Sequence, residues 1–280
     1  GTLFTALHAQ ISIAITINAV IFVEILFNCS KIFNSKVHYF MVSKNQIKLI
    51  TSLQQKKYRI ANKLFIAEGV KGIQELLDSN FELNHLYTTE NDFADVALNY
   101  KTIISESDLK KITALATANS CLAVFKMPVD KPIIETGLIM VLDSIRDPGN
   151  LGTIVRLCDW FGIQQIICSK ETVDIFNPKV VQATMGSLAR VNINYGDLTD
   201  FLKETNLPIF GTFMDGENIY KNQLPQQGII IMGNEANGIS AELEKLVDTR
   251  ISIPRFGTLQ KTESLNVATA TAIVLSEFRR

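Results

Sequence analysis

Three segments in the second half of the chain constrain the fold most. Each runs from an apolar stretch straight into a loop of Gly, Asn, Glu, Ser or Arg. Residues 138–156 read LIMVLDSIRDPGNLGTIVR, residues 229–238 read IIIMGNEANG, and ISIP at 251–254 leads to ESLNVA at 263–268. Polar loops at strand ends are where open α/β sheets place their ligand sites. Three of them in one domain predict a single composite site.

The strands predicted around these loops are 138–142, 165–168, 209–212, 229–232 and 251–253. Helical patterns separate them at the spacing of right-handed crossovers, which implies a mainly parallel sheet. Their near-continuous Ile, Val, Leu and Met content implies burial on both faces.

Upstream, residues 46–63 are expected to be helical, followed by a strand from Leu64, a helix over 70–79 and a strand near 86–87. The alternation continues through 102–105, a helix over 107–114 and a closing strand at 121–125. The stretch 127–132, with two prolines and two charges, reads as a linker. The expected domains are therefore 41–127, a linker at 128–135, and 136–280. The early basic residues Lys44, Lys48, Lys56, Lys57, Arg59 and Lys63 face one acid, Glu68, before Gly69.

Residues 1–40 do not match the rest. The chain opens with Gly1, and the run 11–27 is apolar except for Ser12, Thr16, Asn18 and Glu24. That run is short for a transmembrane helix, which needs about 20 apolar residues. A basic start and a small-residue cleavage site are not evident. Met41 begins a stretch that reads like a natural start. Residues 1–40 are expected to be a non-native or artefactual extension, with a targeting segment or a structural element as alternatives.

The net charge of −1 provides no global field toward nucleic acid, so any such contact must come from a local patch. Cys29, Cys121, Cys158 and Cys168 lack CxxC spacing, and His8, His38 and His85 are isolated. Buried reduced thiols and a cytosolic, metal-free protein are expected. There is no GxGxxG, GxxxxGK[ST] or GxSxG motif.

In the first loop, Pro148-Gly149-Asn150 predicts a turn and a helix N-cap. Leu151, Ile154, Val155, Cys158 and Phe161 form one helical stripe, with Arg156 roughly opposite. Arg156 is then either a solvated surface residue or a guanidinium at the rim of the site, suited to gripping a phosphate. Glu235 lies between glycines after a buried strand; it is either a site carboxylate or a charge at a helix N-terminus. Ser264 is either an N-cap or a site residue.

In order, Asn150-x-Gly152-x-x-x-Arg156, Met232-Gly233-Asn234-Glu235-x-x-Gly238, and Ile253-Pro254 followed by Ser264-Leu265-Asn266 resemble the three motifs of the SpoU (TrmH) family in the SPOUT superfamily. Residues 179–187 also resemble the family's segment between its first two motifs. Residues 45–125, with the run 63–69, are similar to the appended substrate-binding domain, itself related to a ribosomal RNA-binding protein. The loop 255–263 departs by being longer than in many relatives.

The resemblance implies an S-adenosylmethionine-dependent RNA 2'-O-ribose methyltransferase that works as a homodimer, its site completed across the interface; the expected location, from the cysteines, is cytoplasmic. It also implies a deep C-terminal trefoil knot. Gly233, Ile253 and Leu265 would contact the cofactor. Arg156, Asn150, Glu235, Ser264 and Asn266 would be catalytic, and no metal is implied. Ribosomal RNA is the expected substrate, with transfer RNA or a non-catalytic role in ribosome assembly as alternatives.

Overall fold

In the computed structural model, residues 40–90, 92–259 and 264–280 are described. The reading of residues 1–39, including the apolar run and Cys29, lies outside them. Among the described residues no helix is long and apolar enough to cross a membrane.

The first sheet has four strands, β1 (Leu64–Glu68), β2 (Leu83–Thr88), β3 (Lys101–Ile103) and β4 (Cys121–Lys126), in the order β1-β4-β2-β3. It is mixed, since β4 runs antiparallel to both neighbours while β2 and β3 are parallel. Helices α1 (Lys44–Ser52), α2 (Lys56–Asn62), α3 (Val70–Leu77) and α4 (Glu106–Ile112) complete this half.

The single helix expected over 46–63 is two helices. Arg59 turns back so that its Nη1 donates to the carbonyls of Leu53 (2.8 Å) and Gln54 (2.9 Å). A continuous helix would spend those carbonyls within its own ladder. Arg59 is only 2% exposed, and its guanidinium pairs with Asp174 far along the chain. It is therefore withdrawn from the basic surface expected of this stretch; Lys44, Lys48, Lys56, Lys57 and Lys63 remain exposed.

The second sheet has six strands: β5 (Leu138–Leu142), β6 (Gln165–Ser169), β7 (Asn192–Gly196), β8 (Ile209–Asn218), β9 (Gly228–Met232) and β10 (Thr249–Ser252). Their order is β10-β8-β9-β5-β6-β7, and every pairing is parallel. Helices α5 (Pro148–Trp160), α6 (Pro178–Thr184), α7 (Leu198–Glu204), α8 (Ala241–Glu244) and α9 (Val267–Phe278) connect and cover the strands. Strand β5 shows why continuous apolar runs were needed. Ile139 and Val141 enter one core, while Leu138, Met140 and Leu142 enter the other.

Sequence reading missed β7. As an edge strand it is half-buried throughout, and Asn192 and Asn194 interrupt its apolar pattern. Those asparagines donate to the carbonyls of Pro132 (3.4 Å) and Lys131 (2.8 Å), fastening the connecting segment along the edge. Residues 127–136 form no helix or strand, yet the two halves pack together, with α6 against β1. Phe65 meets Phe176 at 4.8 Å between centroids, and Arg190 joins Glu75 of α3 to Asp159 of α5.

Gly152 lies where α5 crosses α6. A Cβ there would sit 2.4 Å from the Ala183 Cβ and 3.0 Å from the Val180 carbonyl oxygen. Gly152→Ala is therefore expected to destabilise the protein by about 1–3 kcal/mol through overpacking, read as a shift in the denaturant midpoint. An unchanged midpoint would show that the crossing yields without cost.

Candidate active site

Strands β5 and β9 are parallel neighbours, so the loops after them emerge side by side. Three ties hold them there. Asp143, 6% exposed, accepts from the Ser240 amide (2.8 Å) and the Ser144 hydroxyl (3.1 Å). Ser144 adopts φ +59°, and its carbonyl accepts from Asn234 Nδ2 at 2.7 Å. Asn234 also closes its own loop, exchanging backbone bonds with Gly238 of 3.0 and 2.8 Å. This closure leaves Gly233 no room for a side chain: a Cβ would lie 2.2 Å from the Gly238 carbonyl carbon.

The third tie is chemical. Asn150 Nδ2 donates to Glu235 Oε1, and Asn266 Nδ2 donates to Asn150 Oδ1 at 2.8 Å. The carboxylate fixes the orientation of the Asn150 amide, leaving its oxygen for Asn266. Residues 150, 235 and 266, remote in sequence, thus form one linked cluster.

The local roles differ from expectation in three places. The N-cap of α5 is Asp147, whose carboxylate accepts from the Asn150 amide (2.8 Å), with Pro148 at the first helical position. Asn150 falls inside the first turn, which frees its side chain for the cluster. The N-cap of α9 is Asn266, whose Oδ1 accepts from the Thr269 amide (3.1 Å), so Ser264 is not a cap. Glu235 does not begin a helix: it sits in the closed loop, and α8 starts only after Ser240.

Arg156 is on the exposed face of α5 and makes no ion pair or hydrogen bond among the described residues. It lies six residues beyond Asn150, about 9 Å along the helix axis. It shares α5 with Asn150 but is not in the cluster.

Beside the cluster is a cavity of about 1060 Å³. Gly233, Ile253 and Leu265 line it as expected, together with Glu235 and Ser264. Sequence reading missed the wall at the β10 edge, formed by Thr212, Phe213, Met214, Glu244, Arg250 and Phe256. The outer half of β8 is exposed and irregularly patterned, so nothing in its sequence marks it as a wall. Met232, Ile251, Val267 and Val274 form an apolar lining. An apolar body with convergent backbone groups, and a glycine where a Cβ would block, suits a nucleoside-sized ligand.

Burial holds the cysteine thiols above their usual range: Cys121 is pushed up to about 11, and the fully buried Cys158 and Cys168 rise further. They are packing residues, as the isolated spacing implied. Among the described residues, no group of three or more His, Cys, Asp or Glu side chains could hold a metal ion.

A parallel α/β sheet with a nucleoside-sized cavity and a linked Asn–Glu–Asn cluster at its strand ends defines an α/β protein with its ligand site at the carboxyl ends of the strands. The chain belongs to the SpoU rRNA Methylase family, whose model matches residues 137–276, while an MRM3-like substrate binding domain matches residues 44–123. It is 29% identical, over 85% of its length and 97% of the relative's, to the 23S rRNA (guanosine(2553)-2'-O)-methyltransferase RlmP of Bacillus subtilis. A TrmH-family protein from Porphyromonas gingivalis has a TM-score of 0.79 and 38% identity, covering 86% of this chain and 99% of that one. An AdoMet-bound rRNA methyltransferase from Sinorhizobium meliloti has a TM-score of 0.77 and 29% identity, covering 86% and 97%. The resemblance read from the three motifs therefore holds.

Proposed function

We propose that this protein is an S-adenosylmethionine-dependent RNA 2'-O-ribose methyltransferase acting on ribosomal RNA. The observation that carries the reading is the convergence of Asn150, Glu235 and Asn266 beside the cavity. S-adenosylmethionine supplies a methyl group carried on a positively charged sulfur. Gly233, Ile253 and Leu265, with their neighbouring backbone groups, would hold it. The names of the relatives, including RlmP, favour ribosomal over transfer RNA.

The ribose 2'-hydroxyl must lose its proton as its oxygen attacks. Arg156 cannot accept that proton, because a guanidinium carries N–H donors and no acceptor. Its fork instead grips the adjacent phosphate and stabilises the developing alkoxide, and the proton passes to that phosphate or to water. Asn150, Glu235, Ser264 and Asn266 orient the ribose. The five exposed lysines at 44–63 supply phosphate contacts from the 41–127 domain, leaving the 136–280 domain to the chemistry.

Arg156 reaches a site by serving across a homodimer. Trp160, four residues on and 83% exposed, lies on the same helical face, and burial of that face against a second copy would cover it. The deep trefoil knot is supported by the path of the chain. β10 is the far edge of the sheet, α9 packs on α5, and the cavity is lined at once by residues 233–239, by 253–259 and by Ser264, Leu265, Val267, Ala270 and Val274. Such knots are rare exceptions to the un-knotted rule.

The test is transfer of labelled methyl to ribosomal RNA from cells lacking this gene, with ribose methylation mapped by resistance to alkaline cleavage. One protected ribose in ribosomal RNA is expected. Labelling confined to transfer RNA would overturn the substrate; no labelling by protein that binds the cofactor would overturn the enzyme reading.

A further inference from the structure

The β10-edge wall of the cavity carries charges that neither the ribose chemistry nor the Asn–Glu–Asn cluster uses. Arg250 Nη1 donates to Glu244 and Nη2 to Asp215, and its guanidinium carbon lies 3.6 Å above the Phe213 ring centre. Phe213 can lie there because residue 211 is glycine: a Cβ on Gly211 would sit 2.5 Å from the Phe213 ring. The arginine is thus held by two carboxylates and an aromatic face before any ligand arrives. Those bonds occupy two of its five N–H donors.

We propose that Arg250 and Glu244 bind the amino-acid end of the cofactor, Arg250 taking its α-carboxylate and Glu244 its α-ammonium. This rests on the cofactor assignment made under Proposed function. A zwitterionic tail needs one cation and one anion side by side, and Arg250 and Glu244 are a joined pair that both line the cavity. Asp215 remains with Arg250 as a third charge and keeps the guanidinium oriented. Of the other charged groups lining the cavity among the described residues, Glu235 is engaged by Asn150. Arg255 belongs to the exposed loop after Pro254 and not to the sheet. The apolar remainder of the cavity is left to the adenosine.

The test compares two ligands by calorimetry on the full chain: S-adenosylhomocysteine, which carries the amino-acid end, and 5'-methylthioadenosine, which lacks it. The native protein is expected to favour S-adenosylhomocysteine. Arg250→Met should weaken that ligand about 10- to 100-fold, the worth of one or two charge-assisted hydrogen bonds, and leave methylthioadenosine within about threefold. Retained methylthioadenosine binding also shows that the variant is folded. Glu244→Gln should act in the same direction.

Equal losses for both ligands, or no loss for either, would overturn the assignment. So would the selective loss appearing with Arg255→Ala and not with Arg250→Met. Native protein binding neither ligand would overturn the cofactor reading itself, a result distinct from native binding that Arg250→Met leaves unaltered.

Discussion

Arg156→Lys is expected to bind cofactor and ribosomal RNA like the native protein and to lose most of its turnover, about 10²- to 10³-fold in single-turnover methyl transfer. The side chain is exposed and has no partner among the described residues, so folding does not depend on it. Lysine keeps the charge but presents a point ammonium in place of a planar fork, losing the bidentate grip on phosphate. A loss confined to the methyl-transfer step, with RNA retention on filters unchanged, fits a group that acts as charge develops. Full activity in Arg156→Lys would remove this arginine from the mechanism.

Gly233→Ala is expected to abolish cofactor binding, a loss of more than about 100-fold in calorimetric affinity. The new Cβ would fall 2.2 Å from the Gly238 carbonyl carbon and 2.3 Å from the Ile239 amide nitrogen, both backbone atoms. No rotamer relieves such a clash, so the loop must open. Opening it breaks the paired Asn234–Gly238 bonds and moves Glu235 off Asn150. The far-UV spectrum should stay native, because the loop lies outside the strands and helices. Native affinity in this variant would show that the closed loop is not part of the cofactor site.

The positions of the central strands were readable because burial on both faces leaves a one-dimensional trace: β5 and β9 are unbroken apolar runs. Where burial is one-sided, the trace fades. β7, at the sheet edge, and the outer half of β8 follow no such rule, and with β8 went the Thr212, Phe213 and Met214 side of the cavity wall. The break between α1 and α2 was invisible for another reason. It depends on Arg59 reaching Asp174, more than a hundred residues away, and local helix preference carries no record of that partner.

The site shows the same division. Residue types and spacing marked Arg156, Glu235 and Ser264 as candidates beside blander roles; the order of the three motifs identified the family, and the resemblance added Asn150, Asn266, Gly233, Ile253 and Leu265. They could not say which residues cap helices and which meet. A cap is decided by a hydrogen bond within one turn, and Asp147 competes for the role that Asn150 is equally suited to fill. That Asn150 joins Glu235 and Asn266 while Arg156 stands apart follows from parallel strands bringing remote loops together, and from the helical turn separating positions 150 and 156. Sequence determined the central strands, the chemistry available at their ends and the family. Tertiary structure decided which of those groups share one site, because contact depends on the path of the whole chain and not on local preference.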